Sequence, residues 1–206
     1  MTAPAPAQPP VSAAEQSPLA RVGRVLFRYR GFVPVPFLLI PLLVPGHQTL
    51  RGWLIAAAFI VVGEIIRIVG VAAAGTVTRR RSRDVQRLVT YGIFSWMRNP
   101  LYVGNFLVWI GFAIGSGVYW FIPIAVLFFA LEYTLIVRYE EGVLESIFGA
   151  EYLAYKARTP RWIPRPPAEK TSGPHDVGEA LRSEVSTFAQ YVALAAAFYI
   201  KYRLTT

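Results

Sequence analysis

The sequence predicts an all-α membrane protein, a polytopic bundle of four membrane-spanning helices with a possible fifth helix near the C-terminus. Of its 206 residues 54% are hydrophobic, and the excess lies in a few long blocks, as is typical of membrane spans. The formal net charge of +9 comes from Arg and Lys between these blocks, a placement that indicates topology and contact with anionic lipid rather than nucleic acid. The absence of cysteine excludes disulfides and thiolate catalysis.

Four apolar blocks account for the predicted spans. The first, 32–44, is shorter than the roughly 20 residues of a span and is rich in proline, so we expect it to be extended by its flanks, kinked or re-entrant. The second, 53–74, is long enough to cross. The third and fourth, 101–114 and 118–137, are joined by the tight turn Gly115-Ser116-Gly117 and should form an antiparallel hairpin.

The basic residues predict the orientation of the bundle. They are concentrated before the first block, between the second and third, and after the fourth, whereas the other two connections hold only Arg51. Four crossings with the N-terminus and the active site in the cytosol place every rich segment inside. Because Arg far outnumbers Lys, which indicates a GC-rich bacterial genome, we expect the bacterial inner membrane.

Three regions are expected along the chain. Residues 1–20, rich in Ala, Pro, Ser and Gln, should form a disordered tail, and no cleaved signal peptide is apparent. Residues 21–165 form the membrane domain, and 166–206 a linker followed by a C-terminal helix. The apolar block 185–200 is marginal for a span, so it is either a fifth span or a helix lying in the head-group layer.

A first polar stretch precedes the third block. Pro100 suits the first turn of a helix, and Asn99 before it is a plausible cap. Such a helix N-terminus favours a carboxylate or another anion. Gly104, one turn later, leaves room for a group to approach the backbone. The alternative is an ordinary helix start with interfacial Arg and aromatic residues.

A second polar stretch follows the fourth block. Arg138 and Glu141 are three residues apart, which places them on one helical face. Gly149 should end this helix, and 151–157 should form a second, short one. Glu140 and Glu141 are either a solvated charge run or, because they end a membrane span and aromatic residues follow, part of a pocket.

Together the two stretches resemble the paired signatures of the isoprenylcysteine carboxyl methyltransferase and phospholipid methyltransferase superfamily of integral membrane enzymes. Those signatures are Arg-His-Pro-x-Tyr-x-Gly and, one helical hairpin later, a Glu-Glu pair leading to Phe-Gly-x-x-Tyr. Asn99 replaces the family His, as in bacterial members, and Gly63-x-x-x-Arg67 also resembles the family. The matching residues are Arg98-Asn99-Pro100-Leu101-Tyr102-Val103-Gly104, Glu140-Glu141 and Phe148-Gly149-Ala150-Glu151-Tyr152.

The resemblance implies methyl transfer from S-adenosylmethionine, held in a cytosolic pocket, to a lipophilic or membrane-associated acceptor. Carboxylates of the isoprenylcysteine type, phospholipid amines and small thiols are all open as acceptors, and membrane lipids are the expected partners. Arg138 and Glu141 would be catalytic. The cofactor-binding residues carried over by motif are Tyr91, Gly92, Arg98, Asn99, Pro100, Tyr102, Gly104, Glu140, Glu141, Tyr152 and Tyr155.

No catalytic metal is expected, because displacement at a sulfonium carbon needs only that donor and acceptor are held in line. The two histidines, His47 and His175, lie far apart in probable loops, unlike the ligands of a metal site.

Three charges lie inside predicted spans, where charge is costly and usually faces a partner or a wet cavity. Glu64 and Arg67, near the middle of the second block, are either a structural ion pair or substrate-binding residues. Glu132, in the fourth, should face the bundle and is a further substrate-binding candidate.

Two other functions stay open. One is an NADPH-dependent membrane reductase of the sterol-reductase type, and the other is a non-enzymatic membrane scaffold. The Glu-Glu pair followed by Phe-Gly-x-x-Tyr favours the methyl donor.

Overall fold

The computed structural model of the chain describes residues 18–75, 87–169 and 171–205. Over these ranges the regular structure is helical throughout, so the predicted fold class is confirmed in its all-α character. A short 3-10 helix, Gly92–Ser95, precedes the fourth α-helix. The α-helices are α1 Pro18–Tyr29, α2 Val35–Leu43, α3 Leu50–Ala74, α4 Pro100–Gly115, α5 Phe121–Phe148, α6 Ala150–Arg158 and α7 Val177–Thr205.

Helices α3 and α5 are long and apolar enough to cross a membrane, and α4 is a shorter apolar helix. Helices α3 and α4 agree with the second and third predicted blocks to within a few residues, and α5 runs beyond the fourth apolar block to Phe148. Gly149, with φ of 51°, ends α5 as expected, and α6 then begins at Ala150.

A seam of small residues joins α3 and α4, which run antiparallel. A Cβ on Gly104 would lie 2.6 Å from the Gly63 carbonyl oxygen, and one on Gly111 would lie 2.9 Å from the Ala56 carbonyl oxygen. At the far end, a Cβ on Gly115 would lie 3.0 Å from the Trp53 ring. Only glycine permits such close approach of two backbones. The Gly111-x-x-x-Gly115 pair therefore serves helix packing.

The N-terminal segment forms a broken helix along α5. Gly23 of α1 packs against Leu135, Phe37 of α2 stacks on Phe128 with ring centroids 3.6 Å apart, and the His47 N–H donates to the Gly117 carbonyl at 3.0 Å. Pro34 precedes the second half, where proline fits a first turn. The first apolar block is thus extended by α1, which begins at Pro18. Residues 1–17 of the predicted tail 1–20 lie outside the described ranges.

Helix α7 runs antiparallel to α3 along most of its length. Ala180, near the start of α7, packs against Val71, near the end of α3. Phe198, near the end of α7, packs in the same cluster as Trp53, near the start of α3. The Lys201 ammonium group then donates to the Pro41 carbonyl at 2.7 Å. These contacts hold α7 parallel to the long axis of the bundle.

The packing divides the bundle into two ends. One end, here called the motif end, carries the end of α3, the start of α4, the end of α5, all of α6 and the start of α7. The opposite end carries the Gly115–Gly117 turn, the start of α3 and the end of α7. Four of the arginines used to predict orientation, Arg79, Arg80, Arg81 and Arg83, lie outside the described residues.

Candidate functional site

The two predicted polar stretches meet in an ion cluster at the motif end. Arg98, just before α4, donates from Nη2 to Glu141 Oε1 of α5 at 2.9 Å. Arg161, in the segment after α6, donates from Nε to Oε1 at 3.0 Å and from Nη2 to Oε2 at 2.5 Å of the same carboxylate. One buried carboxylate is therefore shared by two guanidinium groups, which brings three separate parts of the chain together.

The Arg98 side chain also fastens the end of α6. Its Nη1 donates to the carbonyls of Lys156 at 2.8 Å and Thr159 at 2.6 Å, and its own backbone N–H donates to Pro160 at 2.9 Å. Carbonyls at a helix C-terminus lack intrahelical partners, and a guanidinium satisfies them well. Lys156 contributes a further positive charge, 3.8 Å from Glu141 Oε2.

Asn99 occupies the N-cap position of α4, but its side chain makes no capping hydrogen bond. The Asn99 amide instead donates to the Arg161 carbonyl at 3.1 Å. The predicted capping hydrogen bond is therefore wrong, because the segment that carries Arg161 lies close enough to accept a hydrogen bond from the Asn99 amide. Pro100 is at the first position of α4, as predicted.

Two tyrosines of α6 line the buried side of the cluster. Tyr152 and Tyr155 are both almost fully buried, with ring centroids 6.0 Å apart, and the Tyr155 hydroxyl donates to the Phe94 carbonyl at 2.7 Å. Burial raises the pKa of both hydroxyls. The hydrogen bonds from Arg161 to Glu141 likewise raise the pKa of that guanidinium. At neutral pH the tyrosines are thus neutral and Arg161 is charged.

The adjacent acids Glu140 and Glu141 have different partners. Glu140 is hydrogen-bonded to Tyr102 of α4 and interacts electrostatically with Arg30, which follows α1. The Arg30 guanidinium lies over the Phe27 ring, 4.2 Å from its centroid. The pair therefore ties α5 to two different neighbours, which explains two consecutive acids better than a solvated charge run.

Two predicted site residues lie elsewhere. Arg138 is exposed and makes no ion pair with Glu141 among the described contacts. The positive partners of Glu141 are Arg98 and Arg161 instead. Gly104 faces α3, where a Cβ would lie 2.7 Å from Arg67 Cγ. Close helix packing accounts for this glycine without a ligand.

Tyr91 and Gly92 lie beside the chain segment that leads into α7. The Tyr91 hydroxyl donates a hydrogen bond to the Ala73 carbonyl at 2.9 Å and accepts one from Arg87 Nη2 at 2.7 Å. The Tyr91 ring packs edge-on against His175. Gly92 has φ of 59°, a value that favours glycine. Both residues thus contact the end of α3 or the segment that precedes α7.

A second polar cluster is buried deeper, between α3, α4 and α7. Arg67 donates from Nε to Glu64 at 3.0 Å, from Nη2 to Glu184 at 2.8 Å and from Nη1 to the Asn105 side-chain oxygen. The Tyr191 hydroxyl donates to Glu64 at 2.8 Å. The predicted Glu64–Arg67 pair exists, and it is part of a larger network.

Glu132 of α5 is buried, as predicted, with 2% of its surface exposed. Neither of its carboxylate oxygens has a hydrogen-bond partner within the described part of the chain. A buried carboxylate in that state is unfavourable, which keeps Glu132 as a candidate for a ligand or a proton.

Sequence reasoning missed Arg161, Asn105, Glu184 and Tyr191. Arg161 follows Pro160 in a loop, where an Arg carries no positional signal. Glu184 stands directly before the last apolar block, and an acid at that place could have indicated a partner for Arg67. Tyr191 lies within the last apolar block, where tyrosine is typical of a membrane interface, whereas its hydroxyl binds Glu64.

The fold and the two clusters define an all-helical membrane protein whose polar groups converge at one end of the bundle. Residues 49–151 match the family model described as phospholipid methyltransferase. The chain belongs to this family. The match contains all of α3, α4 and α5, and it leaves out α1, α2, α7 and most of α6.

Individual relatives point in the same direction. The chain is 37% identical over 122 residues to a protein-S-isoprenylcysteine O-methyltransferase of Rattus norvegicus, covering 54% of this chain and 42% of the relative. It is 33% identical over 113 residues to protein-S-isoprenylcysteine O-methyltransferase B of Arabidopsis thaliana, covering 51% and 55%. The chain thus spans only about half the length of these relatives. No solved structure matches the chain.

Proposed function

We propose that the protein is a membrane methyltransferase that transfers a methyl group from S-adenosylmethionine to a lipophilic or membrane-associated acceptor. The observation that supports this most directly is the contact between Arg98 and Glu141, 2.9 Å apart. It joins the two family signatures, more than forty residues apart in the chain, at one point in space. Membership of the phospholipid methyltransferase family supports the same reaction.

The donor set of the cluster fits S-adenosylmethionine, and S-adenosylmethionine supplies an electrophilic methyl group when bound. Its carboxylate matches the guanidinium groups of Arg98 and Arg161, and its ammonium and sulfonium charges match the Glu141 carboxylate. The rings of Tyr152 and Tyr155 offer aromatic faces to a cation. Arg161 and Lys156 keep 30% and 34% of their side chains exposed, so this side of the cluster is open to a ligand.

The role of these residues is to bind and orient. Displacement at a methyl carbon requires attacking atom, carbon and leaving sulfur in line, and a rigid cluster holds the donor in one direction. Glu141 fixes both guanidinium groups, while Arg98 fixes the end of α6. Arg138, exposed at the same end, stays our candidate for contact with the acceptor, and Glu132 for a polar group of the acceptor inside the bundle.

We further propose that five segments cross the bilayer: α1 with α2 as one broken helix, then α3, α4, α5 and α7. Helix α7 lies alongside α3 from end to end, which favours a fifth span over a helix in the head-group layer. The motif end would face the cytosol of a bacterium, because it carries the basic segments. The C-terminus would then lie on the other side.

Labelled methyl transfer tests the activity. The purified protein in lipid nanodiscs is incubated with methyl-labelled S-adenosylmethionine and total membrane lipid or thiol extracts, and products are identified by mass. Glu141→Gln should lower transfer at least tenfold, whereas the control Glu151→Gln, on the exposed face of α6, should leave it unchanged. Equal transfer by both variants would show that the site is wrong.

Ligand binding separates the methyl donor from the other candidate cofactor. We expect S-adenosylhomocysteine to raise the melting temperature of the wild-type protein and NADPH to leave it unchanged. Stabilisation by NADPH alone would overturn the proposed function.

Single cysteines test the topology, because the chain has none of its own. Ala150→Cys and Ser172→Cys place an exposed thiol at the motif end, and Leu204→Cys places one at the end of α7. A membrane-impermeant maleimide added to spheroplasts should label only the cysteine at 204. Labelling of all three from the same side would exclude a crossing by α7.

A further inference from the structure

The buried network around Arg67 is completed by a helix outside the family match. Glu184 and Tyr191 belong to α7, whereas the match ends at residue 151. Glu184 is fully buried, with 0% of its side chain exposed, and its carboxylate lies 2.8 Å from Arg67 Nη2. Nothing in the family signatures requires these two residues, so their role has to be argued from the contacts.

The contacts fix the direction of the Arg67 guanidinium. Glu64 of its own helix binds Nε, Asn105 of α4 binds Nη1, and Glu184 of α7 binds Nη2. A guanidinium carries five N–H groups in a rigid plane, so acceptors on three sides leave it one orientation. Tyr191 in turn holds Glu64 by donating to it at 2.8 Å.

The network lies directly below the motif of α4. Asn105 follows Gly104, the last residue of the signature, and stands six residues or about 9 Å along the helix from Asn99. Arg67 Cγ fills the space that a side chain at Gly104 would occupy. Arg67 also keeps 14% of its side chain exposed, more than Glu64 at 7% and Glu184 at 0%. Of these three charged side chains, Arg67 is therefore the most accessible.

We propose that Glu184 of α7 is a positioning residue: it orients Arg67 toward the acceptor site beneath the α4 motif. This rests on the proposed methyl transfer, since it assigns Arg67 to the acceptor side of that reaction. Helix α7 then supplies a residue that orients the site, in addition to packing against α3. Without Glu184 the guanidinium keeps its charge but loses the contact that holds its Nη2 edge.

The competing explanation is that the network only fastens α7 to α3. A double-mutant cycle separates the two, because replacing both members of a buried ion pair with apolar residues often restores stability, whereas replacing one does not. We would compare Arg67→Met, Glu184→Met and the double variant. The conservative Glu184→Asp tests rescue, and Glu179→Gln, exposed one turn earlier on α7, is the control.

Four quantities are measured: melting temperature, affinity for S-adenosylhomocysteine, and KM and kcat for the acceptor found by labelled methyl transfer. In the double variant we expect the melting temperature to recover toward wild type, S-adenosylhomocysteine to bind within about twofold of wild type, and the acceptor KM to rise at least tenfold. Glu184→Asp should recover part of the KM, and Glu179→Gln should behave as wild type. A double variant with wild-type KM and kcat would overturn the inference and leave the proposed function intact.

A second readout does not depend on activity. The Nε–H resonance of Arg67, identified by its loss in Arg67→Lys, reports the orientation of the guanidinium in nitrogen-15 spectra of the micelle-bound protein. We expect this signal to be sharp in wild type and in Glu184→Asp, and broadened or shifted in Glu184→Met. An unchanged signal in Glu184→Met would overturn the inference, whether or not the wild-type protein methylates an acceptor. If the wild-type protein methylates no acceptor, that result refutes the proposed function separately.

Discussion

Removal of the Glu141 carboxylate is the most informative single perturbation of the ion cluster. Glu141→Leu leaves Arg98, whose side chain is 9% exposed, without its charged partner. It also releases Arg161, but that side chain is 30% exposed and recovers solvation from water. The destabilisation should therefore arise mainly from Arg98.

The magnitude follows from the remaining contacts of Arg98. Breaking a buried pair by removing one member typically costs about 3–5 kcal/mol, whereas an exposed pair contributes about 0–1 kcal/mol. Arg98 keeps the carbonyls of Lys156 and Thr159 as acceptors, which places Glu141→Leu near the lower figure, about 3 kcal/mol. Glu141→Gln keeps an acceptor oxygen and should cost less, about 1.5–2 kcal/mol, the lower part of the range for one hydrogen bond to a charged group.

Reversible unfolding in bicelles by steric trapping measures these free energies, with thermal denaturation as a check. For a chain of this size about 3 kcal/mol corresponds to a decrease of roughly 6–12 °C in melting temperature. Glu151→Gln, with an exposed side chain on α6, should change the free energy of unfolding by less than about 0.5 kcal/mol. If Glu141→Leu is as stable as Glu151→Gln, then the ion cluster does not stabilise the contact of α4 and α6 with α5.

Three further predictions concern helix contacts. Gly104→Ala should lower the melting temperature by several degrees, because its Cβ would lie 2.6 Å from the Gly63 carbonyl oxygen. The control Gly142→Ala, whose Cβ would meet nothing within 4 Å, should be neutral or stabilising by about 0.5–1 kcal/mol. Equal effects in thermal unfolding would contradict the packing of α3 on α4. Tyr155→Phe should lower the free energy of unfolding by about 1–2 kcal/mol, because the Phe94 carbonyl loses its hydroxyl donor. The control Tyr199→Phe, at a side chain that is 59% exposed, should leave the free energy of unfolding unchanged. A Tyr155→Phe protein as stable as wild type would refute that hydrogen bond. Glu132→Met should stabilise the protein by about 1–3 kcal/mol, since neither carboxylate oxygen has a partner within the described residues, and a lowered free energy of unfolding would show that Glu132 has a partner we have not identified.

The apolar helices were predictable because each depends on neighbouring residues. The hairpin of α4 and α5, its glycine turn and the end of α5 at Gly149 all follow from residues adjacent in sequence. The convergence of Arg98 and Glu141 was predictable for a different reason, since it depended on a resemblance between two motifs at hairpin spacing.

The contacts that could not be predicted join residues far apart in the chain. Glu184 lies 117 residues from Arg67, and no local pattern selects one buried acid as its partner. Helical spacing favours Arg138, three residues from Glu141, whereas the observed partner Arg161 lies twenty residues away. The helix turns Arg138 toward solvent while the segment after α6 returns to the cluster, a path set by tertiary packing.

The glycine seam between α3 and α4 has a consequence for how any bilayer-dissolved molecule reaches the motif end. With Gly63 against Gly104, Ala56 against Gly111 and Trp53 against Gly115, the two backbones leave no slot for an acyl or prenyl chain along their shared length. Helix α7 covers α3 on a further side. If the acceptor of the proposed methyl transfer carries such a chain, the chain must reach the motif end by another path, and the side of α5 that faces away from the α3–α4 seam is the candidate.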